Sequence, residues 1–322
     1  MALELPARAC RLPRVLRPHD LTLPFVARAA GTGRRFPPAA LLCARLMLGL
    51  AGGAAGTLGA PAPVWPAPAP EEREEPAGAR APHRIGSALF VGEVGVELQG
   101  RWFAYSDGIT QNLRPYSVFG APTVSIAGEV YPMAGSPIPW IGDLGLTLSY
   151  ARALGLDSAT EGGDAIGTTS QRLGVGLRGR RVLGEGAAPI LGLSAGFRLV
   201  EFSFDAPEDL AAEVPDVSYA LLRLGVDGRV PLGPVAVAAM LEYLGPLSAG
   251  DVYERFKDPT VAGIGLGVGV IYPTVIEGVE ARLWVEYSRF FSAFSPDPGD
   301  PYVAGGALDE LLGLRLSGAY IH

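Results

Sequence analysis

From Gly86 onward, apolar residues recur at every second position in ten segments. These lie near 88–105, 116–131, 143–152, 170–182, 189–204, 217–230, 235–245, 261–272, 278–290 and 310–321. A period of two predicts β-strands that each carry one apolar face. In the ninth segment Val279, Ala281, Leu283, Val285 and Tyr287 share one face, while Glu280, Arg282, Trp284, Glu286 and Ser288 share the other. The first sets Val94, Val96, Leu98 and Trp102 against Glu93, Glu97, Gln99 and Arg101. The sixth sets Leu222, Leu224, Val226 and Val230 against Arg223, Gly225, Asp227 and Arg229. The last sets Leu312, Leu314, Leu316, Gly318 and Tyr320 against Gly313, Arg315, Ser317 and Ala319. The eighth is the extreme case, with Ile264, Leu266, Val268 and Val270 against Gly263, Gly265, Gly267 and Gly269. No stretch beyond 86 keeps a helical period for three turns; PEDLAAEVP at 206–214 predicts one exposed turn.

The connections alternate as well. PMAGSPIPWIG, LGEGAA, PLGP and PTVIE are compact, whereas GLDSATEGGDAIGTT, DAPEDLAAEVPD, LGPLSAGDVYERFKDP and SAFSPDPGDPYVAGGA are longer and more polar. Short turns at one end and long loops at the other, with an even strand count, are the plan of a transmembrane barrel. A soluble barrel shares the period of two, so the decision rests on which face carries charge. If the aliphatic rows pointed inward, the outside would carry many glycines, which weaken strands and cover nothing. Turned inside out, the bulky rows meet hydrocarbon while glycine, serine and charge crowd a narrow lumen. Both signs are present to pair there: Glu93, Glu97, Glu129, Asp227, Glu242, Glu280 and Glu286 with Arg101, Arg172, Arg178, Arg198, Arg223, Arg282 and Arg315. Pairing avoids several kcal/mol for each isolated buried ion. With the first strand running outward, Trp102, Tyr150, Tyr243 and Tyr287 fall on the apolar face near the outer strand ends, and Tyr272 and Tyr320 near the inner ends. Two such belts suit amphipathic rings at two membrane interfaces. The expected fold is therefore all-β: a single antiparallel up-and-down transmembrane barrel of about ten strands, its lumen filled by polar and charged side chains.

The stretch QRLGVGLRGRR contains Gly174, Gly176 and Gly179 in a G-x-G-x-x-G pattern. A dinucleotide site would need a helix opening on the motif and an acidic residue beyond it. Here Leu173, Val175 and Leu177 alternate with Arg172, Gly174, Gly176, Arg178 and Arg180, and the sequence continues into the turn-like LGEGAAP, so the stretch reads as a strand. The three histidines are His19, His83 and His322, none placed to reach an outer rim, and no Ser stands in G-x-S-x-G. Histidine-dependent hydrolysis is disfavoured on those grounds. A net charge of −7 disfavours nucleic-acid binding. Cys10 and Cys43 have no neighbouring His or Cys at metal spacing, and no cofactor or metal is implied.

Residues 1–62 join a basic, Pro-rich stretch to PPAALLCARLMLGLAGGAAGTLGAPA, which has the order of a secretory signal and leads to the expectation of export. Residues 63–85 read as a Pro/Glu-rich linker and 86–322 as the barrel.

On these residues, 86–322 resembles the bacterial outer-membrane β-barrel superfamily in its small-barrel style. LGLRLSGAYIH, with Leu314, Leu316 and Tyr320 alternating, is similar to the family's assembly signal, although that family usually finishes on Phe or Trp and this chain on His322. The resemblance implies location in a Gram-negative outer membrane, with lipid, lipopolysaccharide and the barrel assembly machinery as partners. The expected role is non-enzymatic, structural or loop-presenting. A narrow passive channel stays open as an alternative because the glycine row of the eighth segment leaves room in the lumen, and a soluble periplasmic barrel stays open as a second. The long loops carry excess acid at Asp157, Glu161, Asp164, Asp205, Glu208, Asp209, Glu213, Asp216, Asp297 and Asp300, a solvated surface or a divalent-ion contact to lipopolysaccharide.

Overall fold

The structure is a computed structural model, which describes residues 85–110, 112–159, 165–185, 187–206 and 215–322. The expected export signal, the linker as far as 84, both cysteines, His19, His83, Glu161, Asp164 and most of the 206–214 turn lie outside the described residues.

Ten long strands close into a ring: β1 (Phe90–Ser106), β2 (Tyr116–Val130), β3 (Leu144–Ala153), β5 (Ala165–Val182), β6 (Ile190–Phe204), β7 (Val217–Leu232), β8 (Val235–Ser248), β9 (Thr260–Pro273), β10 (Val279–Ala293) and β11 (Gly306–Ile321). Each pairs antiparallel with its neighbour in sequence, β3 pairs with β5, and β1 pairs with β11 from Val91↔Ile321 to Ser106↔Gly306, so the sheet has no free long edge. A short strand β4 (Asp157–Ala159) folds back on the first residues of β5, in a stretch read from the sequence as loop. Two single helical turns, α1 (Pro139–Gly142) and α2 (Asp251–Glu254), sit in connections at opposite ends.

The alternation settles which way each strand faces. Val94 and Leu193 are each 62% exposed and Leu316 57%, while Glu97 is 3% exposed, Glu242 4% and Arg101 0%. On β6 the outward row Leu191, Leu193, Ala195, Phe197 and Leu199 covers about 26 Å of strand at ~3.3 Å per residue. That is the scale of the ~25 Å apolar band of an outer-membrane barrel. At the end where β1 begins and β11 finishes, here the terminal rim, the β7–β8 connection is a tight hairpin with Gly233 at φ 63. The long connections gather at the opposite, loop rim.

One irregularity shapes the loop rim. In β2 the register slips between Gln99 and Gly100, and the extra residue is Gly120 at φ 87. A bulge of this kind exchanges the two faces of the strand beyond it. Thr123 and Ala121 face inward below the bulge, and Tyr116 and Val118 face inward above it, where they pack on the buried apolar cluster. Phe119 is turned outward to stack on Trp102 at 6.2 Å.

Candidate functional site

The inward face is charged at two levels. Near the terminal rim, Arg178 Nη1 donates to Glu129 at 2.8 Å, and its Nε and Nη2 hold Asp227. Arg229 clasps Glu280 through two hydrogen bonds of 3.0 and 2.6 Å, and Arg282 bridges Glu280 at 2.9 Å and Glu93 at 2.7 Å. At mid-height Arg172 holds Glu97 at 2.6 Å, and Arg315 holds Glu286 at 2.8 Å. Arg198 at 2.9 Å and Arg223 at 3.3 Å converge on Glu242. Of the lumen residues singled out in the sequence, Arg101 alone has its partner elsewhere. Arg229, which the alternation had placed on the same face as Arg223 and Asp227, joins the network although it was not singled out.

Arg101 instead lies near the loop rim. Its Nε and Nη2 donate to Asp309 at 2.9 and 3.1 Å, both side chains are wholly buried, and Nη2 also reaches the Pro215 carbonyl at 3.2 Å. The guanidinium stands over the Phe202 ring at 4.4 Å. Tyr219 donates its hydroxyl to Asp309 at 2.9 Å and lies 2.8 Å from the Tyr253 hydroxyl on α2. Burial and the nearby Asp309 carboxylate push the Tyr253 phenol up to about 12, so it stays a neutral donor at ordinary pH. Around this group the lumen is apolar: Phe103, Phe202, Tyr219, Leu221, Leu244 and Phe290 point in from the strands, and Tyr253, Phe256 and Phe294 come in from the connections. Phe256 and Phe294 stack at 3.9 Å, and Tyr219 and Phe290 at 4.3 Å. The alternation pointed to glycine and charge along the whole inward face; at the loop rim that face is an aromatic cap. Below the cap is a cavity of about 280 Å³, lined among others by Ser149, Ser194, Arg172, Arg223 and Glu286 and bounded above by Leu221, Leu244 and Phe290.

The glycine row of β9 does not leave the lumen empty. A Cβ at Gly263 would lie 2.6 Å from the Phe290 ring, at Gly267 2.9 Å from Met240, and at Gly269 2.6 Å from the Trp284 ring. Those three side chains occupy the space beside the row. A glycine's vacancy is here filled from the neighbouring strand, which one strand's pattern cannot display. Gly269→Ala is accordingly expected to destabilise the folded barrel by about 1–3 kcal/mol, the usual cost of overpacking, read as a lower urea midpoint in detergent.

The aromatic residues lie on the outward face at both ends. Trp102, Tyr150, Tyr243 and Tyr287 stand near the loop rim, and Tyr272 and Tyr320 near the terminal rim. Tyr150 donates to Gln171 at 3.4 Å, and Tyr287 donates to Glu310. Glu310 also faces Arg289 at 3.8 Å, so the outward apolar rows end in polar residues at this rim.

At the terminal rim, Arg180 is buried over the Tyr131 ring at 3.5 Å and donates to the carbonyls of Ile85 at 2.8 Å and Ala88 at 2.6 Å. It thereby ties the residues leading into β1 across the inside of the barrel. His322 is engaged through its backbone, its carbonyl accepting from Leu89 and Phe90. Among the described residues no group of His, Cys, Asp and Glu is arranged to hold a metal ion.

No protein-family model matches the chain, and no curated protein matches it in sequence. Among solved structures it is similar to the translocator domain of the autotransporter NalP from Neisseria meningitidis, at 12% identity over 72% of this chain and 88% of that one, with a TM-score of 0.38. It is similar to the KdgM porin at 11% identity over 70% of this chain and 98% of that one, with a TM-score of 0.28. The outer membrane protein AlkL, determined in DMPC bilayers, gives 9% identity over 78% of this chain and 97% of that one, with a TM-score of 0.35. Likeness at these scores assigns no activity to this chain.

Proposed function

We propose that this chain is a closed barrel of a Gram-negative outer membrane, exported with a cleaved signal, that anchors and presents its long loops outward and carries no catalytic site. The observation that carries the reading is the aromatic cap lying across the lumen at the loop rim, inside a wall whose outward face is aliphatic. Lipid is the solvent that makes such a wall stable, because in water the same rows would form an exposed apolar surface far beyond that of ordinary soluble proteins. Short turns at the terminal rim face the periplasm, and the long connections face outward. Lipid and lipopolysaccharide then surround the outward rows and belts, and β11 supplies the strand offered to the barrel assembly machinery. The cap and the filled glycine row argue against the passive channel, and the outward aliphatic rows argue against a soluble periplasmic barrel.

Planar-bilayer recording of the refolded protein is expected to show no conductance steps above the lipid baseline. Replacing Tyr253, Phe256 and Phe294 together by alanine is expected to introduce them. Regular steps from the unaltered protein would reverse the reading in favour of the channel.

A further inference from the structure

The chamber beneath the cap is not evenly charged. At mid-height four guanidiniums, Arg172, Arg198, Arg223 and Arg315, face it or its wall. Three carboxylates at that level, Glu97, Glu242 and Glu286, pair with them. The next carboxylate towards the terminal rim, Glu93, is held by Arg282 at 2.7 Å and lies 3.4 Å from Arg315 Nε. The shortfall is concentrated at Arg223. Among the described residues its one ion pair is the 3.3 Å contact to a Glu242 already held by Arg198 at 2.9 Å, and its buried Nε, like that of Arg315, has no hydrogen-bond partner.

The strands present hydroxyls at that point. Ser149 and Ser194 line the chamber beside Gly174 and Gly225, their hydroxyls filling the space of the missing side chains at 2.6 and 2.7 Å from where a Cβ would stand. The glycine-rich strand that mimicked a phosphate loop in the sequence therefore forms part of a real recess. A buried cation without a full complement of acceptors is costly, and a bound anion removes that cost by adding acceptors to both arginines.

We propose that the chamber binds one small oxyanion of phosphate or carboxylate type, held by Arg223 and Arg198 with Ser194 beside them and reached from the terminal rim. Isothermal titration of the refolded full-length protein, in zwitterionic detergent and low chloride, tests this with inorganic phosphate and with acetate in separate arms. A saturable single site for either anion is expected, and the arm that saturates identifies the ligand class. Arg223→Gln is expected to weaken binding at least tenfold. Glu242→Gln releases both arginines from their shared carboxylate and is expected to tighten binding several-fold, a gain that damage to the fold cannot mimic. Heat-modifiable gel mobility checks that each variant is folded. No saturable heat with either anion, or two folded variants with unchanged affinity, overturns the site. The outcome is independent of whether the barrel conducts.

Discussion

Asp309→Ala is expected to lower the stability of the folded barrel by about 3–5 kcal/mol, the cost of removing one partner from a buried ion pair. The change strands Arg101, which is 0% exposed and would keep, among the described residues, only the Pro215 carbonyl at 3.2 Å as a hydrogen-bond acceptor. It also removes the acceptor of the Tyr219 hydroxyl, and through Tyr219 it loosens Tyr253 on the connection after β8. Loss of a charge alone does not explain so large an effect, because replacing both members of a buried pair by apolar groups of similar volume is often neutral. The double variant Arg101→Met with Asp309→Leu is therefore expected to recover most of the stability. Urea midpoints followed by heat-modifiable gel mobility read both values. A single variant within about 0.5 kcal/mol of the unaltered protein, the usual scale for surface changes, would mean that the pair does not hold the cap.

The second large effect is expected on the outward face. Leu283 stands in the middle of the β10 row formed by Val279, Ala281, Leu283, Val285 and Tyr287, and is 48% exposed. Leu283→Arg is expected to cost about 2–4 kcal/mol of folding free energy in lipid vesicles, as arginine does near the midplane of a transmembrane barrel. In a barrel that lives in water the same substitution at a half-exposed position would be close to neutral. An arginine tolerated there, in a protein that also washes from membranes with carbonate, would leave the soluble barrel as the reading.

Much of this architecture can be read from the alternation alone. Both faces of β1, β5, β7, β9, β10 and β11 follow from it, because the period of two is a local property that closure leaves intact. The pairing partners are less visible. Arg101 meets Asp309 across 208 positions, and the final segment, read as beginning at 310, stopped one residue short of that aspartate. Gly306 and Ala307 offer no apolar side chain large enough to announce the start of β11. The cap lay outside the pattern for a different reason. Phe256 and Phe294 belong to connections, and Tyr116 is brought inward by the bulge at Gly120, so neither route obeys the strand period. The excess of arginine at mid-height was equally hidden, since both signs are evenly supplied along the chain and only the ring decides which of them meet.

The pairing of β1 with β11 has a consequence for how the molecule is made. Its two halves lie at opposite ends of the barrel sequence, joined from Val91↔Ile321 to Ser106↔Gly306. Every other pair except β3 with β5 is between neighbours in the chain and can zip as a hairpin. This last seam has the largest loop-closure entropy to overcome, so it forms late and slowly. Until it shuts, the nascent sheet carries two open edges, each a template for a stray strand. A chaperone or an insertion machine would be needed most at that moment, and closure can begin only once β11 has arrived beside β1.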